Sequence, residues 1–397
     1  MPLAPLRTLP AVGNRLPIRM MLSSFADGEE HLKLRPFENA PATIFTSSGT
    51  AALIVALDAC RRTSPRRKVI IPAYTCPSVL AAVEQAGLTA VLCDLAPGRL
   101  ALDREQLSSL LDEDTLAVVY VHLFGLDSEA DKIGKLIRAA GAWMIEDAAQ
   151  AFGNHRDGRF LGSEGDLTVL SFGRGKPVSV LHGGAVVVNN PRLVKSTQEA
   201  FERLAAPLPH WFGSYYRVLV AAYAFLFDPK WFGLPQALPW FRIGQTVYIR
   251  HTPVHAMAMA AMRILKPMLS NHSLLMDTRA RVAAKYLQRL REQSAVFEFL
   301  PTSVEISTGP LRFPVVFREK NLKTECLSKL SDLRLGATGS YPVPLHRQSG
   351  VSDRVAAQGP FPNAEAIARG ILTLPTHEYV TDPDIALITD TICELAQ

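Results

Sequence analysis

"SFGRGKPVSVLHGGAVV", residues 171–187, sets a single lysine, Lys176, in a glycine-rich turn between two apolar runs. The run before it, "GDLTVLSF" (165–172), and the run after it, "GGAVVV" (183–188), have the β-branched composition of strands. The second reads as the hairpin partner of the first. Gly173, Gly175, Gly183 and Gly184 allow close backbone approach. Taken by itself, Lys176 is either a solvated loop charge or a nucleophile. A lysine withdrawn from water gives up its proton more readily, and the neutral amine can form a Schiff base.

Upstream, short apolar runs alternate with helical periods. "ATIF" (42–45), "KVIIP" (68–72), "TAVLCDL" (89–95), "LAVVYVHLF" (116–124) and "AWMIED" (142–147) read as strands. Between them, "TAALIVALDACRR" (50–62), "SVLAAVEQAG" (78–87), "DREQLSSLL" (103–111), capped by Asp103, and "EADKIGKLIRAAG" (129–141) read as helices. Strands that are apolar almost throughout and alternate with helices indicate an α/β fold, a mainly parallel sheet covered on both faces. Beyond residue 190 the pattern turns helical, aromatic and proline-punctuated. After an amphipathic helix at 278–293 come a strand at 311–317, a helix at 322–333 and a last helix near 381–396. The expected organisation is an N-terminal arm (1–40), a large α/β domain (41–245) and a smaller C-terminal α+β domain (246–397).

In open α/β sheets ligands bind beyond the carboxyl ends of the strands, so two further stretches matter. "TSSGT" (46–50) leaves the first strand and opens a helix. Gly49 and Thr50 there make either a phosphate cradle or an ordinary helix cap. "EDAAQ" (146–150) leaves the fifth strand. Asp147 and Gln150, three apart, fall on one side of a turn, and an acid buried there needs a cationic partner. A protonated pyridine nitrogen would serve; so would an internal salt bridge.

The 397-residue chain is 48% hydrophobic and 20% charged, with a formal net charge of +5. These are globular values, and the mild basicity suits an anionic substrate or an anionic membrane surface. No Lys/Arg block or interleaved aromatic stripe suggests nucleic acid. Five cysteines at wide spacing, Cys60, Cys76, Cys93, Cys326 and Cys393, suit a reducing, cytoplasmic setting and suggest neither a disulfide framework nor a metal site. The N-terminal residues lack the uninterrupted apolar core of a signal peptide. The longest apolar run, "VLVAAYAFLF" (218–227), is too short to cross a bilayer as a helix. The aromatic stretch around it, 211–241, reads as a core or dimer-interface helix, or as a patch that meets lipid.

Phosphate cradle, acid and lysine fall in order at three strand ends. That order and its intervals resemble the fold-type I pyridoxal 5′-phosphate enzymes, and more closely the DegT/StrS type of sugar aminotransferase. "VIIPAYTCPSVLAAVEQAGLTAVLCDL" (69–95), "VHLFG" (121–125), "EDAAQAFG" (146–153), "YPVPLHRQ" (341–348) and "FPNAEAIARGILTLPTHEYVTDPDI" (361–385) are similar to that family's blocks. The resemblance implies that Lys176 carries the cofactor as a Schiff base and moves the proton in transamination. Asp147 would pair with the pyridinium nitrogen and Gln150 with the ring's 3′-oxygen. Gly49, Thr50, Ala51 and Ser171 would hold the phosphate. Arg174, His122 and His346 are the candidates for the substrate side. The implied reaction moves an amino group, with glutamate the expected donor, to a keto-sugar linked to a nucleotide or a lipid. A homodimer is implied, because active sites of this fold are completed across a two-fold interface.

Two departures stand out. The family places an aromatic residue against the cofactor ring where this chain has Cys76, in "PAYTCP". The middle block that reaches a partner subunit is poorly kept in 243–268, where Arg250 and Thr252 are the nearest equivalents. Two other functions share the fold. A sugar dehydratase of this kind would carry histidine in place of Lys176. A regulator that had given up catalysis would be expected to lose Lys176 or Asp147. This chain keeps both.

Overall fold

The computed structural model describes residues 7–25, 32, 34–126, 129–236 and 248–397. Seven strands form the main sheet: β1 (Ala42–Thr46), β2 (Lys68–Pro72), β3 (Thr89–Cys93), β4 (Thr115–Val121), β5 (Trp143–Asp147), β8 (Leu167–Ser171) and β9 (Gly184–Val188). Between β5 and β8 lies a small hairpin, β6 (His155–Arg156) and β7 (Arg159–Phe160). The order across the main sheet is β1-β9-β8-β5-β4-β2-β3. All neighbours are parallel except β9, which runs against both β8 and β1. The expected hairpin partner is therefore the sheet's single reversed strand.

Alternation along the strands shows why they are apolar throughout. Val69, Ile71, Ala117, Val119 and Ile145 enter one core cluster, and Ile70, Val118, Tyr120 and Met144 enter another. Successive side chains point to opposite faces, and each face is covered. The helix Gly49–Arg61 packs on β1, β8 and β9 and buries eleven residues. The helix Ala130–Ala139 covers β4 and β5. Asp103 caps its helix as expected, its carboxylate accepting from Gln106 N–H at 2.8 Å.

Downstream, β10 (Phe297–Phe299), β11 (Arg312–Phe317) and β12 (Ile371–Pro375) make a three-stranded antiparallel sheet. The helices Lys320–Asp332 and Asp382–Leu395 close over it. The large sheet with helices and the small antiparallel sheet match the expected α/β plus α+β composition. The helix Met259–Ser270 packs into the same cluster as Phe172, Val178 and Val180 of the lysine segment. The segment Leu345–Ile371 shares a cluster with the helix Gly49–Arg61.

Candidate active site

Because β1, β2, β4, β5 and β8 are parallel, their carboxyl ends share one edge, and reversed β9 begins at that same edge. Thr46, Asp147 and Ser171 end their strands there, and His122 follows β4. Ser48 caps the helix Gly49–Arg61, its hydroxyl accepting from Ala51 N–H at 3.1 Å. Gly49 has a second task. A Cβ on it would lie 2.7 Å from Ser171 Cβ, and a Cβ on Gly184 would lie 2.4 Å from the Ser48 carbonyl carbon. Only glycines let the helix start, the end of β8 and the start of β9 touch. The first backbone N–H groups of this helix face that junction, the position of an anion cradle.

The lysine turn is closed at its neck. Phe172 N–H donates to Gly183 O and Val180 N–H to Phe172 O, both at 2.9 Å. Gly183 N–H donates to Ser47 O at 2.9 Å, tying the turn to the residue before the helix cap. Gly175 has a φ of +74°, and a Cβ there would lie 2.9 Å from Val12 of the N-terminal arm. Lys176 is half-buried in this turn, whereas Arg174 is exposed. Arg174 lies on the side of Tyr223, whose phenol feels its charge.

Burial pushes the Asp147 carboxyl above its usual range, against the pull of Lys176, the Ala149 N–H at 3.0 Å and His122. Lys176 and Asp147, 29 positions apart in sequence, thus share one electrostatic neighbourhood. His122 differs from its expectation on the substrate side. Its ring is enclosed and bonded through Nε2 to Glu146 Oε1 at 2.8 Å. Glu146, opposite in alternation to Asp147, also accepts from the N–H groups of Gly162, Glu164 and Gly165. A buried anion needs these donors, and they hold the His122 ring beneath the site.

Gln150 is engaged at both ends of its amide. Oε1 accepts from Phe124 N–H at 2.9 Å, which fixes the amide's orientation, and Nε2 donates to Tyr341 Oη at 2.8 Å. Tyr341 was not singled out in the sequence. Burial, with Cys76, Tyr74 and Asp147 nearby, raises its phenol well above the ordinary value. It meets buried Tyr74 edge-on at 5.7 Å. The segment that carries it is pinned across the exit of β2 by Leu345 N–H donating to Ala73 O at 2.8 Å. Its signal was present as the first letter of "YPVPLHRQ", but its partner Gln150 lies 191 positions away. His346, on the same segment, is held by Glu365 at 3.2 Å and flanked by Arg347.

The sequence profile of the DegT/DnrJ/EryC1/StrS aminotransferase family matches residues 30–204 and 257–393. The chain belongs to that family. Its members work with pyridoxal 5′-phosphate, and this chain is a pyridoxal-phosphate-dependent aminotransferase. Among relatives, a dTDP-3-amino-3,4,6-trideoxy-alpha-D-glucose transaminase of Streptomyces venezuelae is 26% identical over 334 residues, covering 84% of this chain and 77% of that one. A pleiotropic regulatory protein of Geobacillus stearothermophilus is 24% identical over 358 residues, 90% and 86% of the two chains. In structure the chain matches Helicobacter pylori PseC, an aminotransferase involved in the biosynthesis of pseudoaminic acid. That match has a TM-score of 0.76 at 17% identity and covers 98% and 99% of the chains.

The residues present fit the cofactor of this family. Gly49 and Gly184 bring the helix start, Ser48 and Ser171 together, where backbone N–H groups suit a phosphate, and Asp147 is a desolvated acid suited to a ring N–H⁺. Lys176 supplies an amine whose charge acts on that acid.

Proposed function

We propose that this chain transfers an amino group from an amino acid, with glutamate the expected donor, to the carbonyl carbon of a keto-sugar. The products are an amino-sugar and 2-oxoglutarate, and the place of the reaction is glycan or cell-surface polysaccharide biosynthesis. The observation that carries this reading is the gathering of Lys176, buried Asp147 and the start of the helix Gly49–Arg61 at the carboxyl edge of the sheet, with Lys176 near enough for its charge to act on the Asp147 carboxyl. When bound, the cofactor supplies an electron sink that makes the donor's α-proton acidic. Lys176 would hold the cofactor and then take and return the proton. Asp147 would keep the ring nitrogen protonated. Gly49, Thr50, Ala51 and Ser171 would bind the phosphate. Gln150 and Tyr341, bonded to each other, would flank the ring on the side where Cys76 offers no aromatic face. Arg174 and His346 remain the candidates nearest the substrate mouth.

The sugar is nucleotide-linked on the pattern of the Streptomyces relative, or lipid-linked. A homodimer is proposed from the fold's two-fold site, with the Arg250–Thr252 segment, which pairs with Gln85 through Thr252 N–H and O at 2.8 Å, as a candidate contributor. A cytoplasmic location fits five free cysteines. The test is direct. Purified protein with added pyridoxal phosphate should show the Schiff-base absorption band, borohydride should fix it on Lys176, and Lys176→Ala should abolish the adduct. A panel of keto-sugars with glutamate should then yield 2-oxoglutarate. Absence of a reducible adduct in the wild type would remove the catalytic reading and favour a regulatory role.

A further inference from the structure

Among the described residues two arginines are buried, Arg279 and Arg312, and no ion pair holds either of them. A buried charge without a counter-ion is costly. Each also leaves an N–H group enclosed and unbonded, Arg279 at Nη1 and Arg312 at Nε. Their surroundings differ. Arg279 is only 2% exposed, and its Nη2 donates to Gly13 O of the N-terminal arm at 3.4 Å, so it lies under the arm. Arg312 keeps 9% of its surface open.

Arg312 opens β11, and the start of that strand is tied to the site. Leu311 N–H donates to Phe124 O at 2.8 Å, and Phe124 N–H donates to Gln150 Oε1 at 2.9 Å. Phe124 does both from a φ of +59°, a left-handed conformation that a bulky side chain rarely adopts. On its other side Arg312 Nη2 donates to Thr373 O at 3.1 Å and to Gly336 O at 3.3 Å. Thr373 and Thr338 exchange backbone bonds at 2.8 and 3.1 Å, just before Tyr341. The guanidinium thus lies where β11, β12 and the stretch 336–341 converge. Burial brings its pKa down to about 10, against the pull of Tyr341 and Tyr74, so it stays charged at neutral pH.

Two carbonyls engage Nη2 and no acid answers the charge, so the site suits an anion from outside the chain. A carboxylate fits, because its oxygens match the flat fork of a guanidinium. The cofactor's phosphate already has its place at Gly49 and Ser171. The amino donor brings a carboxylate of its own. Its nitrogen joins the cofactor at the carbon beside the ring's 3′-oxygen, the atom expected to face Gln150, and its carboxylate sits on the next carbon. Gln150 Nε2 donates to Tyr341 Oη at 2.8 Å, so that carboxylate arrives on the side that Tyr341 and Arg312 share. Resting on the amino-transfer reaction proposed above, we infer that Arg312 binds the donor amino acid through the carboxylate on its α-carbon.

The experiment uses the full chain loaded with pyridoxal phosphate, without sugar, and follows the cofactor's absorption as donor is added. Arg312→Gln should raise the half-saturating glutamate concentration about hundredfold. Alanine, which shares only the α-carboxylate, should lose as much. Half-saturation by the cofactor, the borohydride-fixed adduct on Lys176 and the calorimetric affinity for dTDP should stay as in the wild type. Arg312→Lys keeps the charge but not the fork and is the milder change for folding; it should bind glutamate about tenfold more weakly than the wild type. Unchanged donor affinity in either variant overturns the inference. So does a loss of cofactor affinity as large as that of donor affinity, which would make Arg312 a structural brace. A loss confined to glutamate or to dTDP overturns it too, by placing a side-chain carboxylate or a diphosphate there. If the wild type yields no reducible adduct, the amino-transfer reading falls and this role with it; an intact adduct beside unchanged donor affinity removes only the role of Arg312.

Discussion

Asp147 and Tyr341 are the residues on which the site turns. Because burial raises the Asp147 pKa, the fold favours its neutral form. As pH rises the unfolded chain loses this proton first, so the stability linked to Asp147 is present at low pH and lost as pH climbs through the native value. At neutral pH the carboxylate is thus a cost to the cofactor-free protein. Asp147→Asn should raise the melting temperature of the cofactor-free form, abolish the further rise that pyridoxal phosphate gives the wild type, and lower turnover about a thousandfold. Scanning calorimetry with and without cofactor checks the first two and a steady-state assay the third; a lower melting temperature in the cofactor-free variant would refute the argument. Tyr341 is tested by rescue. Tyr341→Ala should weaken cofactor binding about tenfold by removing an aromatic face and the partner of Gln150, and adding Cys76→Phe should restore much of it. Cofactor titration by absorbance reads both. Lys176, Asp147 and Gln150 were legible because each sits just past a recognisable strand. Tyr341 was not, because a hydrogen bond from Gln150 across 191 positions leaves no local pattern. The burial of His122 was not legible, because its partner Glu146, adjacent to Asp147 in sequence, points to the other side of the strand.

At the scale of elements, the lysine segment is braced by the helix Phe212–Leu226. Burial lowers the His182 pKa to about 4. Its ring lies against Phe212 and Tyr216, and its Nε2 accepts from Ala258 N–H at 3.3 Å. His377, whose Nε2–H donates to Pro10 O at 2.7 Å, is likewise lowered to about 4, chiefly by burial. Both are native as neutral rings. The unfolded chain takes up these protons near the ordinary value of 6.5 and the native one only near 4, so stability is full above that range and falls as pH drops through it. Thermal unfolding followed from pH 7 to pH 4 should show this loss, and His182→Gln, which keeps an acceptor without a titrating group, should make the dependence shallower. An unchanged slope would show that His182 is not enclosed as described. Most strand and helix positions were readable to within two or three residues because apolar runs and caps are local, but the helix expected at 278–293 begins six residues earlier, at His272. The helix Met259–Ser270 and the edge strand β10 escaped. The first has Pro267 inside it, and the second is three residues long.

Across the whole molecule, what the sequence could not display is how distant pieces are sewn to one site. The parallel sheet follows from the strand–helix rhythm, and the reversal of β9 follows from the short lysine turn. The arm follows from neither, because it is tied down by scattered polar contacts as well as by Leu9 and Leu16, which enter two different cores. Leu9 N–H donates to Arg334 O at 2.9 Å, Arg7 pairs with Asp384, and His377 holds Pro10. Farther along, Asn14 bonds Ser179 in both directions, Nδ2 to Ser179 O at 3.1 Å and Ser179 N–H to Oδ1 at 2.7 Å. Residues 7–16 therefore link the small sheet's domain to the lysine segment, while the segment Leu345–Ile371 carries the large domain's own core toward the small sheet. A core shared in this way should unfold in one calorimetric transition, and separate transitions for the two parts would contradict it. Asn14→Ala leaves a buried N–H and a buried carbonyl without partners, each worth about 1–3 kcal/mol. That single transition should drop by several degrees. The loss should extend to the chemistry, because Ser179 lies three residues from Lys176 in the same closed turn: cofactor affinity should fall in the variant even though Asn14 touches none of the residues proposed to bind it. Unaltered affinity in a clearly destabilised variant would mean that the turn keeps its shape without the arm.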